Sequence, residues 1–192
     1  MFFEVHRLSV FTPRSLDVDV VMDLMIHDLD VVLSLVKSEV REVHAVGLAV
    51  ISNKVDIANA RIEFENGCVA NFTASRVSTE KVRKVRFFQP HEYISIDYGR
   101  QDVISIRVDE RAAAALMSGV APAMLPGTVP GIVIDRPKVE TREPLRAEIE
   151  SFLHAVRTRR APVVSLQDGR RALKVALEIN DAIRAHHRRA GL

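Results

Sequence analysis

The stretch that decides the fold is VDVVMDLMIHDLDVVLSLV, residues 18–36. It is almost wholly apolar, Asp17 or Asp19 is well placed as an N-cap, and Lys37 follows where the helix dipole favours a cation. These signals predict a helix from about Asp19 to Lys37 that is buried on most sides. Its acids and its histidine argue against a lone transmembrane span, because each acid at mid-bilayer would cost roughly 2.5 to 3.5 kcal/mol.

Short β-rich segments stand on both sides of this helix. Residues 2–11 alternate loosely before a proline breaker, and further alternating runs follow from about Val40 to Val108 without a helix between them. Asn66-Gly67 lies between two of these runs and is a signal for a two-residue type I′ hairpin. The sheet is therefore predicted to be mainly antiparallel.

One hairpin shows which face of the sheet must be covered. The apolar side chains of Ala58, Ala60, Ile62 and Phe64 share one face of their strand, and polar side chains share the other. Helices are expected to pack on the apolar face.

The rest of the chain supplies these helices. Residues 111–131 predict a mobile excursion rich in proline and glycine, and IVIDRPKVE predicts one more strand. Two amphipathic helices follow, one after Glu143 and one after Ser165. This order predicts an α+β fold, a largely antiparallel open sheet with helices packed on one face, in a single domain over residues 1–192.

The composition excludes several classes of protein. The chain has 192 residues, 47% of them hydrophobic and 27% charged, and a formal net charge of +2, so we expect a globular domain that binds neither nucleic acid nor a membrane. The single cysteine, Cys68, cannot form an internal disulfide, and no Cys/His cluster has zinc-ligand spacing. A cytoplasmic protein without a structural metal is the expectation.

A polar stripe crosses the buried helix and is the sharpest chemical feature. Asp23 and His27 are four residues apart and share one helix face, which Asp30 and Ser34 continue. Such a stripe is costly unless its groups find partners or line a cavity. His27 could accept the proton of an alcohol that loses hydride, with Asp23 fixing its tautomer. The alternative is that His27 is a hydrogen-bonded core histidine and Asp30 a structural residue.

Three segments carry a resemblance to a known family. VDVVMDLMIHDLDVVLSLV resembles the D-x-x-x-H helix of the Gfo/Idh/MocA oxidoreductases, named for glucose-fructose oxidoreductase and inositol dehydrogenase. ARIEFENGCVANFTASR resembles that family's sheet hairpin, and the segment from Glu143 to about Ile183 resembles its closing helices. The resemblance implies that Asp23 and His27 are the catalytic acid-base pair.

Substrate binding is assigned to three further residues. Asp30 continues the stripe, and Arg14 and Arg76 could hold an anionic group such as a diphosphate by charge-assisted bonds. The resemblance implies a sugar, polyol or nucleotide sugar as substrate and NAD or NADP as cofactor. Surface arginines without a binding role are the alternative for Arg14 and Arg76.

The chain departs from the family in two ways. Members start with a Rossmann domain, yet the glycines here form no G-x-G-x-x-G at a strand-to-helix turn, and the family's Glu-Lys-Pro motif does not occur. We expect a fragment, a misassigned start or a truncated paralogue that lacks the dinucleotide-binding domain, binds no cofactor alone and is inactive as isolated. The alternative from another class is a non-catalytic dimerisation module that forms a homodimer or higher homo-oligomer through the open sheet face.

Overall fold

One sheet runs through the part of the chain that the computed structural model describes, residues 1–13, 16–109, 114 and 131–191. Its strands are β1 Phe2–Val10, β2 Val40–Leu48, β3 Ile57–Phe64, β4 Val69–Ser78, β5 Val82–Gln89, β6 Glu92–Asp97, β7 Asp102–Val108 and β8 Ile132–Asp135. In space they follow the order β2-β3-β4-β1-β5-β6-β7-β8. Among these strands β1 and β4 pair in parallel, and the other neighbours are antiparallel.

The helices are a π-helical turn at Val21–Met25, α1 Ile26–Leu35, α2 Pro144–Thr158 and α3 Leu166–Ala190. The caps that the sequence indicates for α2 and α3 are present. Glu143 accepts hydrogen bonds from the first backbone N–H groups of α2, and Ser165 and Asp168 form a reciprocal capping box at α3.

The core lies between one face of the sheet and the helices α1 and α3. Phe3 and Val5 of β1 are buried against Met25 and Leu29 of the first helix and Ile179 of α3. The hairpin face with the predicted apolar side chains is buried as well: Ala58, Ala60, Ile62 and Phe64 are at most 1% exposed. The α+β fold with a largely antiparallel sheet and helices on one face is therefore confirmed.

Two local predictions need correction. At Asn66-Gly67 the backbone N–H of Phe64 donates to Cys68 O and that of Gly67 donates to Phe64 O, and Gly67 has φ 79°. This is a three-residue loop with a left-handed glycine, not a two-residue type I′ turn. The parallel pair β1–β4 was also not predicted, because an alternating pattern shows which face is buried but not which strand is the neighbour. Apart from residues 114 and 131, the predicted excursion 111–131 lies outside the described residues.

Candidate active site

The helix with the polar stripe is anchored at its first turn. Asp19 Oδ1 accepts a hydrogen bond from the backbone N–H of Met22 at 2.9 Å, and its Oδ2 accepts one from Asn180 Nδ2 of α3, also at 2.9 Å. The backbone N–H of Ile26 donates to Val21 O, five residues back, so this turn is π-helical. The predicted helix from Asp19 to Lys37 therefore begins with a widened turn and ends at Leu35.

The side chains of Asp23 and His27 line one cleft beside this helix. The cleft has a volume of about 580 Å³ and is walled by the helix on one side and by parts of β1, β5 and β6 on the other. His27 is exposed and Asp23 is half-buried. His27 is therefore not a packed core histidine, and both side chains are within reach of a ligand in the cleft.

A buried ion pair fixes the helix to the sheet at the cleft. Arg7 of β1 donates twice to Asp28, from Nε to Oδ2 at 2.6 Å and from Nη2 to Oδ1 at 2.7 Å. Asp28 is 3% exposed, and paired bonds of this kind hold both groups in one orientation. Because Asp28 follows His27 directly, the pair also limits how far the backbone of His27 can move.

The wall opposite the helix carries an exposed cation and a phenol. Arg83 of β5 pairs in register with Arg7, and among the described residues it makes no ion pair. Tyr98, at the end of β6, is 40% exposed. Burial raises the pKa of its hydroxyl, and the carboxylate of Asp28 adds to the rise. Tyr98 is therefore a neutral hydrogen-bonding group at neutral pH.

The segment that precedes α2 closes one end of the cleft. Gln101 Nε2 donates to Arg142 O at 2.8 Å, and the backbone N–H of Arg142 donates to Gln101 Oε1 at 3.1 Å. These two bonds tie the turn between β6 and β7 to the start of α2. The Arg142 side chain also lines the cleft, where its guanidinium pairs with Glu140 at 2.7 Å.

Asp30 lies beside the cleft rather than in its lining. It is half-buried, and its pKa is raised by burial and by the carboxylate of Asp168 on α3, while His27 lowers it. Asp30 therefore lies in the electrostatic field of Asp168 on α3 as well as of His27. Its role in substrate binding stays a prediction.

The other two predicted substrate ligands are not brought to the cleft by the described contacts. Arg76 is 4% exposed, and its Nη2 donates to Val18 O at 2.6 Å while its Nε lies 3.7 Å from Asp56 Oδ1. Arg76 thus ties the segment before the first helix to Asp56, and it is absent from the cleft lining. Arg14 lies outside the described residues.

The residues that sequence reasoning missed are Arg7, Arg83, Tyr98 and Arg142. Arg7 and Arg83 stand on strands that are distant in the sequence, and nothing in the local pattern indicates that β1 and β5 are neighbours. A charged residue on a half-exposed strand is usually solvated, so its charge alone is a weak signal.

Two general features concern the described residues as a whole. They contain no group of three or more His, Cys, Asp or Glu side chains placed to hold a metal ion. No helix among them is both long and apolar enough to cross a membrane.

Comparisons with known proteins show what this chain is similar to. Residues 5–90 match the model of the GFO/IDH/MocA C-terminal domain. The chain is 39% identical over 184 residues to UDP-N-acetylglucosamine 3-dehydrogenase of Acidithiobacillus ferrooxidans, a match that covers 96% of this chain and 55% of that relative. The chain thus spans about half the length of the curated relative that it matches.

Solved structures agree with this match. A structure of the same Acidithiobacillus ferrooxidans dehydrogenase superposes with a TM-score of 0.82 at 38% identity, over 96% of this chain and 55% of the other. An aldose-aldose oxidoreductase from Caulobacter crescentus, complexed with glycerol, has a TM-score of 0.72 at 19% identity over 96% and 53% of the two chains. A levoglucosan dehydrogenase, in complex with NADH and L-sorbose, has a TM-score of 0.76 at 16% identity over 96% and 56%.

The two more distant structures show a shared fold, and the nearer relative shares sequence along almost the whole chain. Residues 5–90 of the chain are thus similar to the C-terminal domain of the Gfo/Idh/MocA oxidoreductases, and 96% of the chain is similar to about half of one dehydrogenase.

Proposed function

We propose that this chain is the substrate-side domain of an NAD(P)-dependent dehydrogenase that oxidises a secondary alcohol of a sugar, polyol or nucleotide sugar. The observation that carries the proposal is the cleft in which His27 is exposed beside a half-buried Asp23. The relative at 39% identity is a dehydrogenase of a UDP-sugar, which supports a nucleotide sugar as substrate. A cytoplasmic location belongs to the same proposal, since a chain with one cysteine, Cys68, forms no internal disulfide.

His27 acts in this proposal as the general base. An imidazole can take the hydroxyl proton of the substrate while the neighbouring carbon gives up its hydride, and the product is a ketone. In the proposed mechanism the carboxylate of Asp23, which lines the same cleft, orients the imidazole, although no hydrogen bond joins the two side chains in the described structure. Tyr98 donates or accepts a hydrogen bond to the sugar without changing its charge, because its pKa is raised by burial.

The described residues do not fit a dinucleotide site. Such cofactors bind where a parallel strand leads through a glycine-rich turn into a helix N-terminus. The one parallel pair of described strands, β1 and β4, is not linked in that way, because the chain between them includes β2 and β3. We therefore propose that the chain alone does not turn over.

The diphosphate of a nucleotide sugar is assigned to Arg83. Its guanidinium is exposed at the cleft. In the buried pair beside it, the charge of Arg7 is already neutralised by the carboxylate of Asp28. Titration of the chain with UDP-N-acetylglucosamine is expected to show binding. Arg83→Gln should raise the Kd by about tenfold or more, because it removes a hydrogen bond to a charged group. Arg100→Gln, at an exposed arginine outside the cleft lining, should leave the Kd unchanged. Equal affinities of the Arg83 variant and the unchanged chain would remove Arg83 from the site.

A fusion protein tests the role of His27. The unmatched part of the Acidithiobacillus ferrooxidans dehydrogenase is joined ahead of Met1, which is 52% exposed and so accepts an extension. We expect the fusion to reduce NAD or NADP with UDP-N-acetylglucosamine, and His27→Ala to slow turnover by about 10²- to 10⁴-fold. His44→Ala, at an exposed histidine of β2, is the matched control. Turnover that survives His27→Ala would show that His27 is not the base.

A dimerisation role is the second candidate, and an aromatic cluster on the open sheet face favours it. The rings of Phe2 and Phe88 have centroids 5.6 Å apart, and those of Phe88 and Tyr93 are 5.0 Å apart. Phe3, the neighbour of Phe2, points into the core, so Phe2 stands on the opposite face of the sheet. We propose that two copies pair through this face. The role is compatible with catalysis by the same chain.

A further inference from the structure

A second cavity lies at the end of the sheet where β2 passes into β3. It has a volume of about 490 Å³, within the range of sites that hold small molecules. Its walls come from the loop between these strands, from Asp19 ahead of the π-helical turn and from the C-terminal half of α3. Among the described residues it shares no lining side chain with the cleft. We call it the α3 cavity, after the helix that contributes Asn180, Ile183 and His187.

The buried end of the α3 cavity offers hydrogen-bond acceptors. Asn180 is 8% exposed, and its Nδ2 donates to Asp19 Oδ2 at 2.9 Å. This bond fixes the orientation of the amide, and its Oδ1 has no hydrogen-bond donor in the part of the chain that the structure describes. Buried amide oxygens nearly always have a partner, and each oxygen of a carboxylate can accept more than one bond. A donor group that enters the cavity therefore meets both Asn180 Oδ1 and the carboxylate of Asp19.

The exposed side of the cavity carries positive charge. Lys54 is exposed there, and its ammonium makes no ion pair with any residue that the structure describes. Arg184 is exposed as well, but its guanidinium pairs with Asp181. His187 is held in place because its Nε2 donates to Gly47 O at 2.6 Å. The ammonium of Lys54 is therefore the charge that is available to a ligand.

The rest of the lining is largely apolar and closely packed from behind. Val55 is half-buried and Ile183 is 2% exposed, and Leu48 adds a further aliphatic side chain. A Cβ at Gly47 would lie 2.6 Å from Val55 Cγ1 and 3.1 Å from Ile183 Cδ1, so the backbone of β2 supports this wall without a gap. The apolar wall is therefore formed before any ligand binds.

These three features select a zwitterionic ligand with an apolar side chain. A ligand with only negative charge would meet the carboxylate of Asp19, and one with only positive charge would meet Lys54. We propose that the α3 cavity binds a free α-amino acid with an apolar side chain. Its ammonium donates to Asp19 and Asn180 Oδ1, and its carboxylate accepts from Lys54. Its side chain packs against Val55 and Ile183.

The site does not depend on the proposed function, but it touches the anchor of the cleft helix. Asp19 accepts from the backbone N–H of Met22, and the backbone N–H of Val20 donates to Val55 O at 2.9 Å. An amino acid in the α3 cavity would thus contact the residues that hold the first turn of the helix with Asp23.

Titration followed by nuclear magnetic resonance of the isotope-labelled chain tests the proposal. L-leucine is expected to bind with a Kd on the order of 1 mM or lower and to shift the amide signals of residues 47–55 and 180–187. Two analogues separate the charges: 4-methylpentanoate lacks the ammonium, and 3-methylbutylamine lacks the carboxylate. Each should bind about tenfold or more weakly than leucine, because each loses a hydrogen bond to a charged group.

Lys54→Gln gives the matched comparison, and the fold tolerates it because Lys54 is exposed. This variant should raise the Kd for leucine by about tenfold and leave the Kd for 3-methylbutylamine unchanged, because the amine has no carboxylate to lose contact with Lys54. Lys37→Gln, at another exposed lysine outside the cavity, should leave the Kd for leucine unchanged.

Three results would overturn the proposal. One is the absence of binding for L-valine, L-leucine, L-methionine and L-phenylalanine alike. Another is equal affinity for leucine and its two analogues, which would show that the cavity does not recognise the two charges. The third is leucine binding that Arg83→Gln weakens as strongly as Lys54→Gln does, which would place the amino acid in the cleft.

Discussion

At the scale of single residues, the buried carboxylate of Asp56 is the strongest electrostatic element outside the cleft. It accepts backbone hydrogen bonds from Val50, Ile51 and Ser52 at 2.8, 2.7 and 2.9 Å and one from Ser52 Oγ at 2.7 Å. Burial alone would raise the pKa of Asp56, but these bonds hold it far below its usual range. Arg76 lies beside it and is equally buried. The loop before β3 is therefore organised around one negative charge.

We predict that Asp56→Asn lowers the free energy of unfolding by about 3 to 5 kcal/mol at neutral pH, because it leaves the buried Arg76 without its counter-charge. A lowered pKa contributes stability above the ordinary value of about 3.9 and loses it as the pH falls toward the folded value. The gap between the variant and the unchanged chain should thus narrow below about pH 4. Urea unfolding of both proteins at pH 7, 5 and 3 measures this difference in the free energy of unfolding. Asp181→Asn, at an exposed ion pair with Arg184, should change little. A gap that is the same at all three pH values would contradict the prediction.

The polar stripe could be predicted from the sequence, but the residues that line the cleft opposite it could not. Asp23 and His27 line the same cleft, as their four-residue spacing predicted. Arg83 reaches the cleft only because β1 and β5 pair, and that pairing is set by the whole sheet. Arg76 was predicted to bind an anionic substrate group through charge-assisted bonds, whereas in the structure it is buried and contacts Asp56 and Val18.

At the scale of elements, the π-helical turn at Val21–Met25 contains Asp23 and leads directly into the helix that carries His27. A turn closed five residues back holds more residues than an α-helical turn, so the helix before it is rotated relative to the helix after it. Val20 and Val21 remain fully buried on one side of the turn, and Met25 on the other. The widened turn therefore allows Val20, Val21 and Met25 to face the core while Asp23 faces the cleft.

We predict that deletion of Met22 converts this turn to an α-helical one and rotates Asp23 out of line with His27. Displacement of a catalytic group by about 1 Å can cost about 10²-fold in rate, and a loss of that order is expected for kcat/KM of the fusion protein. Circular dichroism should show that the fold is retained. Met22→Ala, which keeps the chain length, should retain most of the activity. Equal kcat/KM for the deletion variant and the unchanged fusion would show that the turn does not align the pair.

The sequence predicts most elements well but not this turn. The two closing helices begin where Glu143 and Ser165 indicate, because capping is read from a few neighbouring residues. The first helix was predicted as one regular helix over about residues 19–37, and the apolar pattern alone does not show that its first turn is widened. A π-helical turn depends on which faces the finished core must bury.

At the scale of the whole molecule, composition and element order were enough for the fold class, since a run of short alternating strands followed by two helices favours an α+β arrangement. They were not enough for the position of β1, which lies between β4 and β5 in the middle of the sheet. The amphipathic pattern of α2 predicted a packed face, yet this face is exposed in the described structure. A sequence pattern shows that a face must be buried, but not which molecule buries it.

The open face of the sheet leads to the last prediction, that the chain associates into dimers through the cluster of Phe2, Phe88 and Tyr93. Phe88→Glu would place a carboxylate among these rings, where burial against a second copy would remove its hydration. Sedimentation velocity over a concentration series should show a dimer for the unchanged chain and a monomer for this variant. Phe152→Glu, at an exposed position of α2, should leave the dimer intact, because Phe152 is not part of this cluster. A chain that is monomeric at every concentration, or a dimer that survives Phe88→Glu, would exclude this face as the interface.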